Sequence, residues 1–291
     1  MKSSIPALFA GLAAAAIWGG MYVVSKVVLE VIPPFALLSL RLLLGFATLA
    51  VIVLIRGGFK TERRHLLRVL TVGFVGYGVS LGFQFFGTKL STASNGALVT
   101  SATPVFVLPF ALLLIRERLG FRRLASLAIA CIGVLIVIAP WEAAPSAATG
   151  TVRLGNIFLL AAAVTWALYS VLVRKTAQKA DVLESSAIML LGGIPTSIGF
   201  GVAEIVTQGL GPIGPGIIAG ILFLGIISTA VAMFCWNYAF AKLPASTAAL
   251  TFYAQPVVGT LLGWALLGER MTPLFFGGGA LIALGIFISR E

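Results

Sequence analysis

Ala97 to Arg118 reads ALVTSATPVFVLPFALLLIRER, and Ala249 to Arg270 reads ALTFYAQPVVGTLLGWALLGER. At a constant offset of 152 the stretches pair Ala97 with Ala249, Leu98 with Leu250, Pro104 with Pro256, Glu117 with Glu269 and Arg118 with Arg270. The register reaches outward to Gly73 with Gly225 and Gly133 with Gly285, and at an offset of 148 Trp18 pairs with Trp166 and Lys26 with Arg174. Leu and Ala coincide often in apolar sequence, but paired prolines and paired Glu-Arg ends do not. Each stretch is an apolar run of membrane-crossing length with a helix breaker at the same place. One unit is used twice.

The composition agrees. Of 291 residues, 59% are hydrophobic and only 10% charged, with a mean hydropathy of +1.09; soluble domains carry roughly a quarter charged residues. Apolar stretches of about 18 residues or more give candidate spans at Ile5 to Val28, Phe35 to Ile55, Leu66 to Thr88, Ala93 to Ile115 and Phe121 to Ala139. They continue at Leu154 to Val173, Leu183 to Val206, Ile217 to Ala241, Ser246 to Leu267 and Pro273 to Ser289. Ten crossings take up about two thirds of the chain, which leaves no room for a separate soluble domain. The opening, Lys2 and then Ala13 to Ala16, imitates a signal peptide, but the apolar run continues past Trp18 to Leu29 and reads as a retained first helix.

Basic residues orient the spans. With the N-terminus cytoplasmic, that side holds Lys2, the cluster from Arg56 to Arg68, the cluster from Arg116 to Arg123, then Arg174, Lys175, Lys179, Lys242 and Arg290. The opposite side holds Lys26, Lys89, Arg153 and Arg270. Fifteen cations against four place both termini in the cytoplasm by the excess of Lys and Arg in cytoplasmic loops. The expectation is an all-α, multi-pass protein of ten transmembrane helices in a bacterial cytoplasmic (inner) membrane. Residues 1–140 form a first five-helix repeat, 141–153 a linker rich in Ala, Pro, Ser and Thr, and 154–291 a second repeat. Because five is odd, the second repeat enters the membrane from the other side, so the repeats are inverted. Such a pair can exchange two complementary arrangements around a midplane cavity, which is chiefly a transporter pattern.

Several classes are excluded. The net charge of +11 sits in short loops and not on a basic stripe with aromatic platforms, so nucleic acid is not a partner. Cys131 and Cys235 stand alone in apolar runs, so neither a disulfide framework, a metal nor another cofactor is implied. The sole histidine, His65, lies in the basic loop, and no acidic pair lies at membrane depth; an intramembrane enzyme would need an activated nucleophile or a metal set there. No phosphate-cradling glycine loop points to ATP hydrolysis.

Ala16-Ile17-Trp18-Gly19-Gly20-Met21-Tyr22, the segment Pro34 to Leu44 with Arg41, and the twin ends Arg116-Glu117-Arg118-Leu119 and Gly268-Glu269-Arg270 resemble the EamA family of the drug/metabolite transporter superfamily along essentially the whole chain. The resemblance implies a ten-helix fold with a central cavity, and efflux of amino acids or related metabolites is its commonest activity. It does not carry the substrate across.

A carrier must replace part of its substrate's hydration with side chains near the midplane. The polar half of helix four supplies Asn95 and Thr100, and that of helix nine supplies Tyr253 and Gln255; each half is followed by a proline, Pro104 or Pro256. A proline deletes a backbone hydrogen bond and crowds the preceding turn, so both are read as hinges that bend the helix toward the cavity. Their plainer role is a static kink, as hydroxyls can simply pack helices together. Aromatic candidates for the lining are Trp18, Tyr22, Tyr77, Trp166, Tyr169 and Trp236, with interfacial anchoring as the alternative. Gln84 and Asn237 either line the cavity or hydrogen-bond between helices.

Arg41, the one charge well inside a span, anchors a substrate carboxylate or ties helices together. Glu117, Glu269 and Glu204 sit near helix ends, where local pairing competes with a role in proton coupling. These readings describe a secondary transporter working by alternating access, whose partners are a small-molecule substrate and the lipid bilayer; the oligomeric state stays open and a monomer is compatible. The alternatives are a proton-coupled drug efflux carrier and a passive channel.

Overall fold

The computed structural model describes residues 4–91, 96, 99–117, 120–138, 150–176, 181–267 and 273–288. Asn95, Glu269 and residues 141–149 of the expected linker lie outside them. Among the described residues there are helices and no strands. We label them α1 (Ser4–Val28), α2 (Pro34–Ile55), α3 (Arg63–Gly73, continuing through Leu81–Leu90), α4 (Thr103–Ile115), α5 (Phe121–Ile138) and α6 (Gly150–Thr176). There follow α7 (Val182–Gln208), α8 (Pro215–Leu222, continuing through Ala232–Lys242), α9 (Ala245–Leu250), α10 (Ala254–Leu267) and α11 (Pro273–Ile288).

Local chemistry sets the ends. Pro34 and Pro215 stand in the first turns of α2 and α8, where a missing N–H costs nothing. Asp181 caps α7 by accepting from the Glu184 N–H at 3.0 Å, the usual role of a short acidic side chain there. Gly57 and Gly58, at φ of 106° and 82°, let the chain leave α2 in a conformation closed to most side chains.

α1, α2, α3, α6, α7 and α8 are long and apolar enough to cross a membrane. Large apolar side chains such as Phe9, Leu54, Ile55, Phe200 and Val206 stand exposed on the outside, a surface that requires lipid. The chain is a multi-pass membrane protein. α6 starts at Gly150, four residues before the expected Leu154.

α2 packs along α7, α5 along α11, α1 along α8 and α10, and α3 and α4 along α6. Backbones touch where glycine allows it. A Cβ on Gly73 of α3 would run into the Met189 carbonyl of α7, and one on Gly192 of α7 would run into the Leu70 carbonyl of α3. Small residues serve this purpose in membrane bundles.

The helix breaks differ from the expected pattern in two ways. The expected bends at Pro104 and Pro256 are breaks that precede the prolines. The chain turns at Ser101 and Ala102, and Pro104 then sits in the first turn of α4. A 3-10 turn, Thr251–Tyr253, joins α9 to α10 and comes just before Pro256. In the first turn of α4 the Pro104 ring crowds less helix than it would in a helix interior, so starting a helix there is less costly than kinking one. Threonine hydroxyls donate to carbonyls at both breaks, Thr103 to the Thr100 carbonyl and Thr251 to the Ala248 carbonyl, each at 2.7 Å. The second difference is a π-helical segment in the middle of α3 (Phe74–Ser80) and another in the middle of α8 (Phe223–Val231). Nothing in the hydrophobic pattern announces them.

Candidate functional site

α1, α3, α4, α6, α8 and α10 surround a central cavity. Trp18, Met21 and Tyr22 come from α1, Leu81 and Gln84 from α3, and Thr103 from α4, just after Thr100. Ala162, Ala163 and Trp166 come from α6, Met233 from α8, Phe252 from the 3-10 turn and Gln255 from α10. The space is narrow, with room for the centre of about one water. Two wider grooves lie on the outer surface. One, between α2, α3, α6 and α7, is walled by Phe35, Phe74, Phe83, Phe86, Phe158 and Phe200, and the other, between α2 and α7, by Ile, Leu and Val. With scarcely a polar group, they suit acyl chains, whereas a polar metabolite needs the mixed lining of the central cavity.

The cavity's aromatic wall is continuous. Trp18 and Trp166 meet edge to face with ring centroids 5.6 Å apart. Trp236 and Phe252 lie 5.3 and 5.9 Å from Trp18, and Tyr169 lies 4.7 Å from Trp166. Such pairs contribute about 0.5–1.5 kcal/mol each beyond their buried area, so this wall is stiff. The polar wall is thinner. Tyr22 and Thr100 share a hydrogen bond of 2.8 Å, and Gln255 Nε2 donates to Thr100 Oγ1 at 3.3 Å.

The two tryptophans use their N–H groups differently. Trp18 Nε1 donates to the Ser228 carbonyl at 3.0 Å, a backbone oxygen inside the α8 π-helical segment. Trp166 Nε1 is buried and has no acceptor among the described residues, which costs about 1–3 kcal/mol. The carbonyl of Gly76, 152 residues before Ser228, accepts from the Leu81 N–H where the α3 π-helical segment closes.

Of the sequence candidates, the cavity brings together Trp18, Tyr22, Gln84, Thr100, Trp166 and Gln255. Gln84 is half-buried and makes no side-chain hydrogen bond among the described residues, so of the two readings it takes the lining. Tyr77, Tyr169, Trp236 and Tyr253 stand behind the lining, because their hydroxyls and N–H groups are engaged elsewhere. Tyr77 and Tyr169 share a hydroxyl contact of 2.5 Å, Tyr169 donates to Asn237 Oδ1 at 2.6 Å, and Asn237 Nδ2 reaches Ser186 Oγ at 3.0 Å. Ser186 is four residues into α7, Tyr169 seven from the end of α6 and Asn237 five from the end of α8. This network therefore ties the bundle together toward the end where α6 leads to α7. Trp236 donates to Ser170 Oγ at 3.0 Å, and the Tyr253 hydroxyl lies 2.8 Å from Cys131 Sγ on α5. Sequence reasoning missed Met21, Met233 and Phe252 as lining. Apolar residues among apolar residues carry no mark of which face they occupy.

Arg41 is fully buried and binds three helices. Its Nε donates to Thr229 Oγ1 at 2.8 Å, Nη2 reaches the Ser228 carbonyl at 3.5 Å and its Oγ at 3.4 Å, and Nη1 lies 3.6 Å from Met21 Sδ. The guanidinium also covers the Phe85 ring, 4.9 Å from its centroid. The glutamates act at helix starts. Glu204 accepts from the Phe35 and Ala36 N–H groups at 2.7 and 3.2 Å, the open donors at the start of α2. Glu117 accepts from the Ala245 N–H at 2.9 Å and from Ser246 through both its N–H and its hydroxyl, capping α9. Sequence reading missed Glu184, whose carboxylate accepts from the Lys60 and Thr61 N–H groups in the loop before α3. At helix ends, Lys26 Nζ reaches the Thr88 and Ser91 carbonyls past α3 at 3.2 and 2.7 Å, and Arg174 Nη1 reaches the Phe240 carbonyl in α8 at 3.2 Å.

The sequence profile of the EamA-like transporter family matches residues 5–139 and 153–290. The chain belongs to the EamA-like transporter family. Members of that family are transporters and not enzymes, in keeping with a cavity lined by apolar groups, amides and hydroxyls. A similar protein is an uncharacterized transporter of Archaeoglobus fulgidus, 28% identical and covering 93% of this chain and 94% of its own length. Another is a probable amino-acid metabolite efflux pump of Salmonella typhimurium, 29% identical over 97% of this chain and 93% of its own. A solved crystal structure at 22% identity superposes with a TM-score of 0.81 over 97% of both chains and so shares the fold.

Proposed function

We propose that this EamA-like protein is a secondary carrier of ten spans in two inverted five-helix halves. By alternating access it moves small amphipathic metabolites, amino acids and related zwitterions, outward across a bacterial cytoplasmic membrane. The observation that carries the reading is the central cavity, where aromatic faces meet amides and hydroxyls at the contact between Trp18 and Trp166. Aromatic faces hold an apolar side chain or an ammonium, and the amides orient the polar end.

The packing supports two inverted halves. Under a twofold exchange of halves, the pair α1 with α8 maps onto α6 with α3, and α1 with α10 maps onto α6 with α4; α2 with α7 and α5 with α11 map onto themselves. All of these pairs pack together. Mates also do the same work: Lys26 reaches carbonyls near the end of α3, and Arg174 reaches one near the end of α8. The family profile, too, matches one stretch in each half.

The narrow cavity and the Tyr77, Tyr169, Asn237 and Ser186 network favour a gated carrier over an open channel, since a solute of amino-acid size enters only if the lining parts. Phosphorylated solutes are disfavoured, because a phosphate brought to the midplane needs at least two cations and Arg41 is the only one there. Among the relatives, the protein named as an amino-acid metabolite efflux pump points the same way. Purified protein in liposomes should show saturable, counterflow-stimulated uptake of one or more neutral amino acids and no uptake of sugar phosphates. Linear, non-saturating flux, or uptake of a sugar phosphate without amino acids, would overturn the reading.

A further inference from the structure

We infer that the Trp166 indole N–H, together with the Gln84 amide, receives the carboxylate of the transported solute; this rests on the carrier reading above. Both residues line the cavity, and among the described residues neither the Trp166 indole N–H nor the Gln84 amide has a hydrogen-bond partner. A buried donor without a partner is rare in folded proteins and asks for an explanation. Here the explanation is not a failure of the scaffold to supply acceptors for an indole. The repeat mate Trp18, in edge-to-face contact with Trp166, has the same N–H satisfied by the Ser228 carbonyl in a π-helical turn. Trp18 is thus satisfied where its repeat mate Trp166 is not, and the unsatisfied donor stands where a solute would lie.

The charge of the missing acceptor follows from Arg41. This cation is fully buried, and among the described residues its partners are two hydroxyls, a carbonyl, a thioether and a ring face, with no carboxylate. It sits behind Met21, which lines the cavity, and none of the lining residues is acidic. The cavity therefore carries a positive potential with donors facing it, and in a site of low dielectric such a field favours an anionic oxygen strongly. A carboxylate accepts from two donors at once, which fits an indole and a primary amide that line one cavity. The apolar part of the solute would then lie against Trp18 and Phe252.

The test uses the full-length protein in liposomes, with a panel of neutral amino acids and, for each one carried, the amine that lacks its carboxylate. The parent should carry the amino acids and discriminate against the amines at least tenfold in uptake efficiency. Trp166→Phe keeps a ring and removes the N–H, so the amino-acid KM should rise about tenfold and the preference for amino acids over amines should shrink with it. Gln84→Glu places an anion beside the proposed carboxylate and should invert the preference toward amines; it also serves if Trp166→Phe does not fold. If amino acids and amines are carried equally, or if neither substitution alters the preference, the carboxylate assignment fails while the carrier stands. If no amino acid shows counterflow at all, the carrier reading itself fails.

Discussion

Trp18 of α1 donates its indole N–H to the carbonyl of Ser228, an oxygen in the π-helical turn of α8. The wider i to i+5 spacing leaves backbone groups outside the regular helical ladder, and this one is held by a side chain from another helix and approached by Arg41 as well. Trp18→Phe should keep the ring contacts and lose the bond. The expected cost is about 1 kcal/mol, read as a fall of a few degrees in the melting temperature in detergent. Trp18→Ala should cost about 3–5 kcal/mol, since it also empties a packed volume. Equal melting temperatures for the parent and Trp18→Phe would mean the bond contributes nothing.

Pro104 and Pro256 stand at equivalent places after the breaks that lead into α4 and α10. Replacing either with Ala returns an N–H and lets helix run back through the break, which should bias the protein toward one facing state. We expect each Pro→Ala variant to transport at several-fold lower rates while expressing near the parental level. Parental rates in both would make the breaks architectural.

Glu204 holds the Phe35 and Ala36 N–H groups, so its oxygens serve α2 whatever the proton gradient does. Glu204→Gln keeps one acceptor and should melt close to the parent, whereas Glu204→Ala should lose about 1 kcal/mol, the usual worth of such a cap. Transport by Glu204→Gln should keep its response to an imposed pH gradient. Loss of that response with a parental melting temperature would assign this carboxylate to coupling instead.

Thr61 lies in the basic loop before α3, and Ser146 lies in the linker region. With Cys131 and Cys235 replaced, a single cysteine at Ser146 should react with an impermeant maleimide in intact cells, and one at Thr61 should react only after the cells are opened. Labelling of Thr61 from outside would reverse the topology derived from the basic loops.

The membrane character, the long apolar helices and the family could be read from the chain itself, because each is a property of composition, run length or order. A stretch such as Pro34 to Ile55 has no stable place in water, and the Ala97 and Ala249 segments match each other residue by residue. The candidate site was legible in part. Trp18, Tyr22, Gln84, Thr100, Trp166 and Gln255 stand out as polar or amphipathic groups in apolar surroundings, and all six line the cavity.

Tertiary structure decided what depends on which face a side chain occupies and on what stands opposite it. Tyr77 and Tyr169 look like lining in the sequence, yet they engage each other and Asn237. Met21 and Met233 look like packing, yet they line the cavity. The glutamates read as local partners at helix ends, and only the fold shows that Glu204 and Glu117 also reach backbone N–H groups on helices remote in sequence. The physical reason is that hydropathy records only a residue's preference for lipid over water. In a bundle where nearly every residue shares that preference, pairing is set by hydrogen-bond satisfaction, a relation between positions as distant as Trp18 and Ser228 that no single stretch of sequence contains.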